Sequence, residues 1–109
     1  DVWGPGTQTR SFLYIDECIE GIRRVMESDF TEPVNIGSDE MVTINELVDI
    51  ACEVEGKKLT KKHIDGPLGV AGRNSDNNLI KEKIDWEPDY PLSKGIEKTY
   101  RWINEQVKL

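Results

Sequence analysis

The sequence predicts an α+β fold, a small mixed sheet of short strands supported by about four helices. Three observations lead there. Runs with strand character are only a few residues long, longer segments repeat apolar residues at three- and four-residue spacing, and glycine or proline punctuates the chain between them. A chain of 109 residues suits one domain, 1–109. Folding at that size buries roughly 60 to 70% of the surface the unfolded chain exposes, enough for one modest core.

Gly4-Pro5-Gly6 is a turn signal, and a strand of about Ser11 to Ile15 follows it. Asp16 is placed to cap a helix over Glu17–Glu27, with Cys18, Ile22, Val25 and Met26 on one face and Arg23, Arg24 and Glu27 facing away. Pro33 to Gly37 reads as a short strand ending in a left-handed glycine before the turn Ser38-Asp39-Glu40, and Met41-Val42 as another strand. Thr43 and Glu46 have capping-box spacing, so Ile44 to Glu55 is predicted helical with Leu47, Val48, Ala51 and Val54 inward and Gly56 as the stop.

Lys57, Lys58, Lys61 and Lys62 surround Leu59 and read as solvated charge at a helix end and strand edge. His63-Ile64 reads as a strand. His63 has no carboxylate at an informative spacing, which favours a structural donor over a general base. Leu79, Ile80, Lys83 and Ile84 repeat at helical spacing behind a cap at Ser75 or Asp76. The stretch from Asp85 to Pro91 holds two prolines and breaks helical continuity. A last helix from Ser93 to Val107 has Ile96, Tyr100, Ile103 and Val107 as its buried stripe, with Trp102 on the flank.

Fourteen basic and twenty-one acidic residues leave a net charge of −7, which argues against nucleic-acid or membrane binding through a general positive field, so any anion site must be local. Cys18 and Cys52 lack CxxC or zinc spacing and read as thiols in a reducing compartment, with a reactive Cys18 near a helix start as the alternative. No signal peptide or apolar span is present, so the expected location is cytoplasmic, and a start at Asp1 without methionine suggests an excised domain.

The polar stretch Gly72-Arg73-Asn74-Ser75-Asp76-Asn77-Asn78 lies between two core-like segments, and its arginine stands just before a helix start, where an anion is favoured. Gln8-Thr9-Arg10-Ser11 places a second arginine at the mouth of a strand. Paired guanidinium forks suit a diphosphate in a way lysine does not; the alternative is that both arginines pair with surface carboxylates. Tyr90 and Lys94 match a YxxxK spacing, but Pro91 biases Tyr90 toward extended backbone and denies the pair a shared helix face. No GxGxxG follows a strand.

Gln8-Thr9-Arg10-Ser11-Phe12, Ile15-Asp16-Glu17-Cys18-Ile19-Glu20-Gly21, the run Pro33 to Val42, Gly66-Pro67, Gly69-Val70 and Gly72 to Asn77 together resemble the C-terminal part of the GDP-mannose 3,5-epimerase family, NAD-dependent extended short-chain dehydrogenases/reductases. The resemblance implies a nucleotide-sugar-binding domain whose Rossmann partner, NAD and tyrosine-lysine pair belong to the preceding part of the protein, so it gives this chain no catalytic, cofactor or metal residue. It implies that Arg10 and Arg73 grip the substrate diphosphate, with Gln8, Asn74 and Ser75 as flanking polar contacts. It further implies that the Val34–Ile36 strand and the helix before it lean on the cofactor domain. An apolar patch near Val34 and Ile36, or a homodimer covering it, is therefore expected. A UDP-sugar decarboxylase, a dTDP-sugar dehydratase and a free-standing nucleotide-sugar-binding module without catalysis are the alternatives. Leu68, Ala71 and the Gly4-Pro5-Gly6 entry depart from the family pattern.

Overall fold

The computed structural model describes residues 1–108. Strand β1 (Val2–Trp3) pairs in parallel with β4 (His63–Ile64), and β2 (Thr9–Ser11) pairs antiparallel with β3 (Met41–Thr43), Arg10 opposite Val42. An isolated parallel bridge joins Thr9 to Gly72 on the free edge of β2, so pairing of both senses meets at that strand. The helices are α1 (Ile15–Glu27), α2 (Ile44–Glu55), α3 (Asn78–Ile84) and α4 (Leu92–Val107). The expected α+β class and the four helices are observed.

Strong local signals hold to the residue. The Thr43 hydroxyl accepts from Glu46 N at 3.0 Å while the Glu46 carboxylate accepts from Thr43 N at 2.8 Å, a complete capping box at the start of α2. Gly56 ends α2 in the left-handed region at φ 64°, and Lys57 N returns to Cys52 O at 3.0 Å. His63 Nδ1 lies 2.7 Å from Gly4 O; a carbonyl only accepts, so the imidazole is the donor and ties β4 to the turn after β1.

Other boundaries move for tertiary reasons. The strand expected over Ser11–Ile15 is instead Thr9–Ser11, because its partner β3 is equally short and α1 starts at Ile15. Tyr14, not Asp16, occupies the N-cap, and Asp16 and Glu17 sit in the first turn, where acidic side chains suit the helix dipole. Glu17 also holds the proline-rich segment, accepting from Tyr90 N at 2.7 Å and Asp89 N at 3.3 Å. Helix α4 begins one residue early, at Leu92, whose N–H donates to Glu40 at 2.7 Å. Pro33–Gly37 forms no strand: Pro33 has no N–H, Gly37 O is taken by the Asn77 side chain, and no ladder runs along the segment. Gly37 is also absent from the left-handed glycines, contrary to its sequence reading.

The molecule measures 49 × 34 × 20 Å, and a body that thin keeps few side chains away from solvent. Among the described residues, the large apolar side chains that are buried are Val2, Ile80 and Leu92, with Ile80 fully enclosed. The close approaches use glycine: a Cβ at Gly21 would lie 2.8 Å from the Trp86 ring and 2.9 Å from Ile36, and one at Gly95 would lie 3.3 Å from Tyr14. Tyr14 stacks on Tyr90 at 5.1 Å with the Lys98 ammonium over both rings.

Two expected buried stripes are only partly covered. Cys18 and Val25 are half-buried, but Ile22 and Met26 are exposed and, with Ile15 and Ile19, form an apolar row along α1. On α4, Ile96 and Tyr100 are half-buried, whereas Ile103 and Val107 are open. Near the patch expected at Val34 and Ile36 both side chains are half-buried and Ile36 packs at Gly21; the more open apolar surface lies on α1.

Gly56→Ala is expected to destabilise the chain by about 1 kcal/mol, since nothing lies within 4 Å of the added Cβ and only backbone strain acts. Thr43→Ala should cost about 1 kcal/mol by opening the capping box; urea denaturation of both variants measures these losses. Hydrogen bonds from Arg23 and Arg24 hold the Glu20 carboxyl at about 2, below its ordinary 4.5. Its stabilising effect is therefore present above the ordinary value and lost as pH falls toward 2. The Tm difference between the parent chain and Glu20→Gln should shrink to nothing over that interval.

Candidate anion site

One backbone stitch creates the site. Thr9 N donates to Ala71 O at 2.9 Å and Thr9 O accepts from Arg73 N at 3.3 Å, so residues 71 to 73 lie alongside β2 in parallel. Gly72 permits the approach, because a Cβ there would stand 2.6 Å from Thr9 Oγ1. In parallel register, residues one step beyond a bridged pair project to the same side. Arg10 and Arg73, far apart in sequence, thereby line a single cavity of about 270 Å³.

Ser11, Asn74 and Ser75 complete one wall of this cavity, and Asn35, Ile36 and Gly37 form the other. Arg10 is half-buried and pinned, Nη1 donating to Thr9 O at 2.7 Å and Nη2 reaching Leu68 O at 3.4 Å. Gly69, at φ 69°, belongs to the strap that holds it; a Cβ there would lie 3.3 Å from Arg10 Nη2. Arg73 is exposed, and its guanidinium has no hydrogen-bond or carboxylate partner among the described residues.

The alternative in which arginines simply neutralise surface carboxylates describes the other three. Arg23 pairs with Glu20 and Glu27, Arg24 with Glu20, and Arg101 with Glu97. Among the described residues Arg10 and Arg73 have no acidic partner, although the chain carries a net charge of −7. Two unneutralised forks beside one cavity favour an anion locally, and planar donors in pairs match phosphate or carboxylate oxygens.

Asn77 connects the two walls. It is 7% exposed, its Nδ2 donates to Gly37 O at 2.9 Å, and its Oδ1 accepts from Ser75 Oγ at 2.7 Å. Gly37 packs so tightly that a Cβ would lie 2.7 Å from Ser75 Cβ. Asn74 turns its carbonyl back to Ser75 N at 2.9 Å. Asn77, and neither Ser75 nor Asp76, occupies the N-cap of α3, with no side-chain cap bond, while Asp76 accepts from Asn78 N at 3.0 Å. Helix α3 is only seven residues long, so the anion-favouring dipole expected beside Arg73 is not a feature of this site.

Four of the five sequence-selected residues, Arg10, Arg73, Asn74 and Ser75, come together, whereas Gln8 lies outside the lining with its Oε1 buried and unpartnered. Asn35 and Gly37 carry no wall signal in the sequence, because the pattern of Pro33–Gly37 is that of a strand. Sequence reading also misses Asn77, whose signal is its place as the second of three asparagines in a polar loop that ends against buried Ile80. Tyr90 lies before α4 and interacts with Lys98, not Lys94, so the YxxxK spacing forms no shared helix face. Among the described residues no group of His, Cys, Asp and Glu is arranged for a metal, and no helix is long and apolar enough to cross a membrane.

No family model matches the chain. It is 58% identical over 108 residues to a GDP-mannose 3,5-epimerase of Arabidopsis thaliana, an alignment covering 99% of this chain and 29% of that protein. It is 37% identical over 93 residues to UDP-glucuronic acid decarboxylase 5 of the same plant, covering 84% of this chain and 27% of the relative. The fold superposes with a TM-score of 0.88 and 30% identity on UDP-glucuronic acid 4-epimerase from Bacillus cereus, solved with UDP-glucuronic acid and NAD, over 96% of this chain and 35% of the other. The chain thus spans about a third or less of the proteins it matches.

Gly37→Ala tests the two-walled cavity. The new methyl meets Ser75 Cβ, which moves only with its backbone, so the variant should lose about 1 to 3 kcal/mol of stability and shift the amide resonances of Ser75 and Asn77. Unchanged shifts at those amides would contradict the packing described.

Proposed function

We propose that this chain, a homologue of the GDP-mannose 3,5-epimerases with the C-terminal-domain fold of NAD-dependent short-chain dehydrogenase/reductase epimerases, is a nucleotide-sugar-binding domain. Its task is to grip the diphosphate of a GDP-hexose whose sugar is worked on by the remainder of a longer protein. The observation that carries this reading is the pair of guanidinium groups at one cavity that have no carboxylate partner among the described residues. Arg10 is the pre-positioned member, held by two carbonyls; Arg73 is the exposed one, placed to meet the second phosphate. Charge-assisted contacts of this kind each contribute about 1.5 to 3 kcal/mol.

The chain's own residues do not fit a dinucleotide. Gly4-Pro5-Gly6 leads into β2 and not into a helix, so this glycine turn does not face a helix N-terminus in the way a pyrophosphate cradle requires. NAD and the proton-transfer groups are accordingly assigned to the part of the protein outside this chain. The row Ile15, Ile19, Ile22 and Met26 on α1 supports that arrangement. Its alternating spacing of four and three residues makes a continuous helix face, suited to packing on that further domain or on a second copy.

The alternatives, a UDP-sugar decarboxylase or a dTDP-sugar dehydratase, differ in base and sugar. The higher identity to the GDP-mannose enzymes favours the guanine nucleotide.

Titration of GDP, UDP and dTDP into the chain should move amide resonances around Arg10 and Arg73 most strongly for GDP. Arg10→Ala and Arg73→Ala should each weaken GDP binding about ten- to a hundredfold. Arg→Lys should recover only part of the loss, because an ammonium lacks the fork. Arg101→Ala serves as the control and should leave binding unchanged. Equal weakening by all three substitutions would point to a diffuse field and remove the case for a built site.

A further inference from the structure

The hydrogen-bond chain through Asn77 fixes which way the Ser75 hydroxyl points. Gly37 O can only accept, so the amide nitrogen of Asn77 must face it, at 2.9 Å. That orientation places Oδ1 on the other side, 2.7 Å from Ser75 Oγ. An amide oxygen cannot donate, so the hydrogen between them is the serine's. The tight contact of Gly37 with Ser75 leaves the serine Cβ little room to move. With its only hydrogen committed to Asn77, Ser75 turns lone pairs toward the cavity that it shares with Arg10 and Arg73.

A phosphate oxygen is itself an acceptor and has nothing to offer such a group. A ligand hydroxyl does. We propose that Ser75, oriented by Asn77, is a specificity-determining residue that accepts a hydrogen bond from a ligand hydroxyl next to the anion and does not contact phosphate oxygen as a donor. Asn77 is the positioning residue. The inference deepens the diphosphate reading above and rests on it. A nucleoside diphosphate sugar has two sources for such a hydroxyl, the ribose and the hexose, and the chemistry required is the same for both.

The test is calorimetric titration of the chain and of Ser75→Ala with inorganic pyrophosphate, GDP, 2′,3′-dideoxy-GDP and GDP-mannose. Ser75→Ala should leave pyrophosphate affinity within about twofold while weakening the hydroxyl-bearing ligand about three- to tenfold. A ribose contact shows as a loss with GDP that disappears with the dideoxy nucleotide; a hexose contact shows only with GDP-mannose. Asn77→Ala frees the serine hydroxyl to donate, so the preference for the hydroxyl-bearing ligand over pyrophosphate should narrow, a change that general loosening of the fold does not produce. Independently of ligand or mutation, the Asn77 side-chain amide protons should exchange with solvent more slowly than those of exposed Asn74 and Asn78. Pyrophosphate binding that falls as far as nucleotide binding in Ser75→Ala, no loss for any ligand, or rapid exchange at Asn77 each overturns the proposal. If the unsubstituted chain binds none of the four ligands, the diphosphate reading itself fails and takes this inference with it.

Discussion

The parallel bridge between Thr9 and Gly72 is the contact on which the rest of the site depends. It converts a polar loop with no periodicity of its own into a third backbone segment beside β2, through hydrogen bonds to Ala71 O and from Arg73 N. Every later feature inherits that registration. Arg73 stands beside Arg10 because their neighbours are bridged, and Leu68 O and Gly69 reach the Arg10 guanidinium because the strap before Gly72 must return to the same edge. A side chain at position 72 would compete with Thr9 for the space, which makes the absent Cβ as much a part of the site as the two cations.

Electrostatics then separates two populations of arginine on one acidic chain. Arg23, Arg24 and Arg101 lie on exposed helix faces within three or four residues of glutamates, where local pairing is easy and solvent screening keeps it weak. Arg10 and Arg73 sit on strand and loop backbone, where no such periodic carboxylate exists. Main-chain carbonyls hold Arg10 instead, fixing its direction without cancelling its charge. A local positive pole therefore survives on a molecule whose net charge is −7.

The thin shape has a further consequence. With a shortest dimension of 20 Å, the domain has little interior, and α1 and the distal half of α4 carry apolar side chains that this chain does not cover. Gly21 and Gly95 bring Trp86, Ile36 and Tyr14 close to the helices, and Glu17 and Glu40 fasten the loop leading to α4 through backbone amides. The candidate anion site is thus supported by polar clamps and glycine contacts more than by a large apolar core. That fits a domain whose relatives are about three times its length or more.

The amino-acid order alone determined whatever depends on neighbours three or four residues away. The four helices, the capping box at Thr43 and Glu46, the stop at Gly56 and the exclusion of a helical Tyr90–Lys94 pair all follow from local backbone chemistry. It also singled out Arg10 and Arg73 as candidates, since an arginine outside any helical pattern has no local carboxylate to satisfy it. Tertiary structure decided the rest. Pro33–Gly37 became a cavity wall because Asn77 takes the Gly37 carbonyl, Gln8 turned away from the lining, and the open apolar row settled on α1 instead of at Val34 and Ile36. Each of those outcomes turns on which distant backbone group reaches a hydrogen-bond partner or a face first, and contacts between residues forty or more positions apart leave no periodic trace in the chain.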